Sequence, residues 1–139
     1  QGFLNSVMQY PGVTCGHILT PLDAWLFTQI NAGNCISLML NQGYGWAGEA
    51  NLKFIVEKLF CVEPGSGYPS HRQEPQRESR ELLGRLNWIT HHKMTEILAK
   101  LPVEVVSPVA AYPGMIDTME SWRDTDKLIL SALKDRLKG

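Results

Sequence analysis

Very little in this 139-residue sequence points outward. There are only three cysteines, no Cys-x-x-Cys pair, and spacings of 20 and 26 positions that fit no zinc finger or ribbon. No charge of one sign dominates: 13 basic and 14 acidic residues leave a net charge of −1, so nothing pulls the whole chain toward nucleic acid or an anionic membrane. No apolar run approaches the roughly 18 residues needed to cross a bilayer. A basic segment followed by an apolar one is missing from the front, and no repeat of solenoid period occurs. Membrane proteins, fibrous repeats and highly charged nucleic-acid wrappers are thereby set aside. The first residue is Gln1 rather than a methionine, which leads us to expect a fragment or processed product of a longer chain.

What is present suits a folded domain. Hydrophobic residues make up 44% and charged residues 19%, enough apolar material for a core and too little charge for a disordered tail. The plainest reading of Cys15, Cys35 and Cys61 is three small hydrophobes in a reducing compartment. If a bridge forms, Cys15 and Cys61 are the candidates, since both border apolar segments.

Helical signals recur along the chain. Residues 2–10 put Phe3, Leu4, Val7 and Met8 on one side before Pro11-Gly12 stops them. Thr20-Pro21-Leu22-Asp23 is a strong helix start, with threonine to cap, proline at the first helical position and a carboxylate facing free N–H groups. That helix is expected to end near Ala32, before Gly33-Asn34. Leucine and methionine tip Cys35–Leu40 toward a short helix rather than a strand. From Ala47 to Phe60, apolar residues at 52, 55, 56, 59 and 60 mark an amphipathic helix. The stretch 63–75 reads as a long loop, and 76–101 as a long helix with a kink near Gly84 or Asn87. Pro102, Pro108 and Pro113 rule out a regular helix between them, leaving Val103, Val105 and Val106 for a short edge strand. A short helix follows around Met115–Trp122, and Asp124-Thr125-Asp126 opens a last one ending in Lys134, Arg136 and Lys138. The expectation is an all-α single domain, 1–139, of five to six helices with irregular Pro/Gly-rich connections and at most a short strand near 103–106.

Chemistry is sparse. Cys35 follows Gly33-Asn34 and precedes an apolar segment; at a helix N-terminus its thiolate would be favoured by unpaired N–H groups and the dipole. The setting resembles the nucleophile of papain-like viral proteases, some of which release themselves at a C-terminal glycine such as Gly139. The resemblance implies a cysteine hydrolase with His91 or His92 as base. It covers only a handful of residues, those histidines sit in a helical pattern rather than on a strand, and no aromatic residue follows Cys35.

His92 and Glu96 share a helix face, but a metal needs a third ligand that the sequence does not supply, so no metal and no cofactor are expected. Glycines 43, 45 and 48 match the spacing of a dinucleotide fingerprint without its βαβ context, which favours a turn that lets Tyr44 and Trp46 pack. Residues 66–139 hold 11 basic and 10 acidic residues. Arg72, Arg77, Arg80 and Arg85 are interleaved with Glu74, Glu78 and Glu81, the pattern of a solvated, salt-bridged face, and nucleic acid is an unlikely partner.

Tyr44, Trp46 and Tyr68 stand in Pro/Gly loops where core demand is weak, whereas Trp25, Trp88 and Trp122 lie in helical segments and are expected inside. These observations favour a non-enzymatic interaction domain that binds another protein. Tyr44, Trp46 and Tyr68 are its anchors, and Arg72 and Arg77 form its rim. The alternatives are the hydrolase on Cys35 and a helical nucleic-acid-binding module.

Overall fold

The computed structural model describes residues 1–39, 45–123 and 127–138. Its contacts gather into two compact units, Gln1–His91 and His92 onward. The all-α expectation is overturned in the first of these, because it contains a two-stranded parallel sheet, β1 (Cys15–Ile18) and β2 (Cys35–Leu38). Parallel neighbours need a crossover, and the segment starting at Pro21 supplies it. The result is a β-α-β unit, the context that the sequence reading found missing. Gly45 and Gly48 do follow a strand and lead into a helix; Gly43 lies outside the described residues.

The crossover begins as α2 (Pro21–Leu26) and continues as a π-helical turn, Phe27–Asn31. Its start is the capping box read from the sequence. Thr20 Oγ1 accepts from the Asp23 N–H at 3.2 Å, and Asp23 Oδ2 accepts from the N–H groups of Thr20 at 2.8 Å and Leu19 at 3.1 Å. It ends at Ala32, whose left-handed φ of 48° turns the chain toward β2. Phe27 explains two glycines. A Cβ on Gly16 would lie 2.7 Å from the Phe27 ring, and one on Gly33 would run into the same ring. The ring occupies the space that side chains there would need.

Around this unit stand α1 (Gly2–Val7), α3 (Gly48–Phe60) and α4 (Gln73–Thr90), the last preceded by a 3₁₀ turn at Ser70–Arg72. Ile18, Ala24 and Ile55 form the buried core, with Phe27, Ile36, Leu38 and Leu59 against it. The loop expected to reach Pro75 is shorter, because the first turn of a helix needs no N–H from a proline and α4 takes Pro75 as its third residue. No residue of α4 is buried; Leu83, Trp88 and Ile89 are 63%, 69% and 79% exposed, so the expectation of an inward Trp88 is corrected.

The second unit is helical: α5 (Met94–Lys100), α6 (Val103–Ala110), α7 (Met115–Glu120) and α8 (Lys127–Lys138). The break in the long helical signal falls at His91–Lys93 rather than at Gly84 or Asn87. The edge strand expected at 103–106 is a helix. Val103, Val106, Ser107 and Ala110 turn inward at helical spacing, and Pro108 is accommodated inside it. Val106, Met119, Leu130 and Leu133 are the core here. The start expected at Asp124-Thr125-Asp126 lies outside the described residues. No helix among the described residues is long and apolar enough to cross a membrane.

Candidate functional site

The π-helical turn dictates the local chemistry. A widened helix turn leaves carbonyls without their usual partners, and such turns are frequent at functional sites. Here the Gly65 N–H donates to Thr28 O and the Gly67 N–H to Gln29 O, both at 2.9 Å. The carbonyl of Ile30 accepts from Arg80 Nη1 at 2.8 Å, while Arg80 Nη2 donates to Gly65 O at 3.0 Å. One guanidinium thus joins three segments and retains further N–H groups. Gly65 is suited to this contact, since at its φ of +75° a Cβ would press on the Arg80 guanidinium at 3.2 Å.

Beside this joint lies a cleft of about 390 Å³ whose lining includes Thr14, Asn31, Arg80, Asn87 and His91. Its wall is stitched by polar side chains. Asn87 Oδ1 accepts from Gly12 N at 2.8 Å; Asn34 takes the Thr14 N–H at 2.9 Å and donates to Gly12 O at 2.8 Å. The His91 ring lies 3.2 Å from both Met8 O and Asn87 O and 3.0 Å from the Thr90 hydroxyl. Asn31, at the end of the π turn, is exposed on the cleft. A guanidinium beside amides and a hydroxyl is a donor set suited to a carboxylate or phosphate and to sugar hydroxyls.

Parallel α/β sheets commonly hold ligands beyond the carboxyl ends of their strands. At that end β1 runs into the Thr20 cap and β2 toward residues 40–44, which lie outside the described residues. Burial opposes the charge of Asp23, but the bonds from Thr20 and Leu19 and the nearby His17 hold its carboxyl below the usual range. His17 Nδ1 and Gln29 Nε2 are buried without a hydrogen-bond partner among the described residues.

The residues expected to act are placed differently. Cys35 begins a strand, not a helix, so no helix terminus favours its thiolate. Opposite it in register stands Cys15, so the thiol set beside Cys15 is Cys35 and not Cys61, the partner named for it in the bridging expectation. Burial first, then the Cys35 thiol, pushes Cys15 up to about 11, the reverse of an activated nucleophile. The His91 nitrogens face carbonyl and hydroxyl oxygens, and His92, in the second unit, has Nδ1 3.4 Å from Glu96 Oε2 at the surface. Among the described residues no three His, Cys, Asp or Glu gather as a metal site. The hydrolase reading is therefore withdrawn.

Trp46 is fully exposed, and Tyr44 and Gly139 lie outside the described residues. Tyr68 meets Trp25 edge-on with ring centroids 4.8 Å apart, and its backbone is held at both N and O by the Gln76 amide. It is part of the framework. Arg77 is paired with Glu74 and Glu81, which answers the basic face of a nucleic-acid module with acid; Arg72 is exposed at the start of α4. The sequence reading missed Asn31 and Arg80. A signal existed, since Arg80, Leu83, Gly84 and Asn87 recur at helical spacing on the face of α4 that lines the cleft, with His91 just past its end.

No protein-family model matches the chain, and no curated relative does. Solved structures match well. A 4-deoxy-L-threo-5-hexosulose-uronate ketol-isomerase complexed with a tartrate superposes with a TM-score of 0.90 at 29% identity. The ribose-5-phosphate isomerase LacAB_rpiB from Vibrio parahaemolyticus does so with a TM-score of 0.90 at 35% identity. Each match covers 99% of this chain, and the chain spans 64% of the length of each of those proteins. Likeness to two sugar isomerases overturns the reading of a non-enzymatic interaction domain, and the fold is α/β and similar to that of these isomerases rather than all-α.

Proposed function

We propose that this chain is the body of a sugar ketol-isomerase that binds an anionic carbohydrate. The observation that carries the reading is the match, over nearly the whole chain, to two enzymes named for the same type of isomerisation. Both names specify an anion, a uronate in one and a 5-phosphate in the other, and tartrate is itself a dicarboxylate. The reaction moves a hydrogen between adjacent carbons through an enediol while the carbonyl shifts the other way. It needs a proton acceptor, donors for the developing oxyanion, and an anchor that fixes the remote end of the sugar.

The chain's own residues suit the third requirement. Arg80 is pinned by two carbonyls, so its remaining N–H groups are presented to an anion in a set orientation. Asn31 offers both a donor and an acceptor to a hydroxyl across the same cleft. Asn87 and His91 hold the wall to Gly12 and Met8 and act as positioning residues.

The test is isotopic. Incubated in heavy water with ribose 5-phosphate or a 4-deoxy-5-hexosulose uronate, the protein is expected to place solvent deuterium on a carbon next to the carbonyl as aldose and ketose interconvert. Absence of both exchange and interconversion with either sugar would overturn the assignment.

A further inference from the structure

Cys15 and Cys35 are the first residues of β1 and β2, and the parallel register sets them directly opposite. Directly paired residues of neighbouring parallel strands project to the same face. The strand separation of roughly 4.8 Å lies within the Cα range of about 4.4–6.8 Å that a disulfide spans. The Cys35 thiol stands near enough to raise the Cys15 thiol, and both are half-buried at the start of their strands, within reach of a small solute. Cys61 lies elsewhere, on the surface at the end of α3, with its thiol directed to Lys58 O.

We propose that Cys15 and Cys35 form a cross-strand dithiol that hydrogen peroxide oxidises to a disulfide, clasping the two strands around the crossover helix. The Cys35 thiolate attacks one peroxide oxygen, the O–O bond breaks, and hydroxide leaves and is protonated to water. The sulfur is left as a sulfenic acid. The Cys15 sulfur then attacks it, the S–O bond breaks, and the departing hydroxide leaves as a second water with the Cys15 proton. Two thiols lose two electrons in total and the peroxide gains them. Cys15, which keeps its proton far above neutrality, is the resolving partner rather than the attacking one.

The pairing is local to the β-α-β unit and independent of the sugar-binding reading. The N–H groups of Asn34 and Cys35 both donate to Thr14 O, at 3.2 and 3.3 Å, so the bridge would lock a strand entry that is already hydrogen-bonded. It would close a loop from residue 15 to residue 35, which predicts a rise in Tm on the order of 5 °C on oxidation.

The experiment uses the folded 139-residue protein carrying Cys61→Ser, treated with hydrogen peroxide and read by intact mass and by peptides. Trypsin finds no cleavage site between the two cysteines, so a protease that cuts before Asp23 is used to separate them. The expected result is a loss of two mass units, a cross-linked pair of peptides holding Cys15 and Cys35, and reversal by dithiothreitol. Cys15→Ser and Cys35→Ser should each abolish the link and leave the untreated protein folded. Stepwise oxidation of single cysteines to sulfinic acid without a link would overturn the proposal. So would peroxide-resistant thiols in both positions while the Cys61 thiol of the unsubstituted protein is consumed.

Discussion

The two compact units are held together by different means. In the helical unit four buried apolar side chains, Val106, Met119, Leu130 and Leu133, meet from three helices, while Lys134 pairs with Glu120 at the surface and Arg136 donates to the Leu101 carbonyl. In the β-α-β unit only Ile18, Ala24 and Ile55 are buried apolar residues among the described ones, and Thr28, Gln29 and Ser37 are buried too. There the segments are tied by side chains bonded to distant backbone: Arg80 to Ile30 and Gly65, Asn34 and Asn87 to Gly12, Thr28 to Leu59. The difference teaches where chemistry can reside. Polar groups fixed by hydrogen bonds are what a binding cleft is made of, and an apolar helical core offers none.

Substitutions can break that contrast. The largest loss is expected in the helical core, where Leu133→Ala removes a fully packed side chain and should cost about 2–5 kcal/mol, read by urea unfolding. Next comes Arg80→Met. It leaves the Ile30 and Gly65 carbonyls without their charged donor and should cost about 2–3 kcal/mol, with hydrogen exchange rising at residues 28–31 and 63–67. Gly33→Ala follows at about 1–3 kcal/mol, because a methyl group there collides with Phe27 and the strand entry must shift.

Thr20→Ala, which removes one arm of the capping box, should cost about 1 kcal/mol. Its partner gives the contrast a pH dependence. The Asp23 carboxyl titrates below its ordinary value of 3.8 in the folded protein. Its contribution is therefore complete above that value and disappears as pH falls through the folded one, and Asp23→Asn should flatten the acid limb of the stability profile. Smallest of all, exchanging Arg77 for glutamine should leave the unfolding midpoint unchanged within error, since its pairs with Glu74 and Glu81 are solvent-exposed.

Legibility in the sequence follows the same division. The capping box at Thr20, the helix from Gly48 to Phe60 and the last two helices carry long periodic or capping signals that tertiary contacts reinforce. The strands do not. Cys35–Leu38 is four residues long and contains leucine and isoleucine in a run that periodicity cannot distinguish from buried helix; β1 pairing decides it. Val103–Ala110 is the mirror case. Its β-branched residues and prolines suggest an extended chain, yet burial of Val106 and Ala110 against α8 and α7 selects a helix. The cleft was hidden for a related reason. Arg80 sits among arginines of the same local composition, Arg77 with its salt bridges among them, and the orphaned carbonyl of a π turn some fifty positions earlier gives it a different task.

The most direct test of the proposed sugar binding in the cleft is an NMR titration of the protein with ribose 5-phosphate, tartrate and neutral ribose. The account predicts saturable shifts of the Asn31 amide and the Arg80 guanidinium with the two anions, weaker or none with ribose, and their loss in Asn31→Ala protein that retains its fold. Equal responses to ribose and to the anions, or shifts confined to residues away from the cleft, would contradict it.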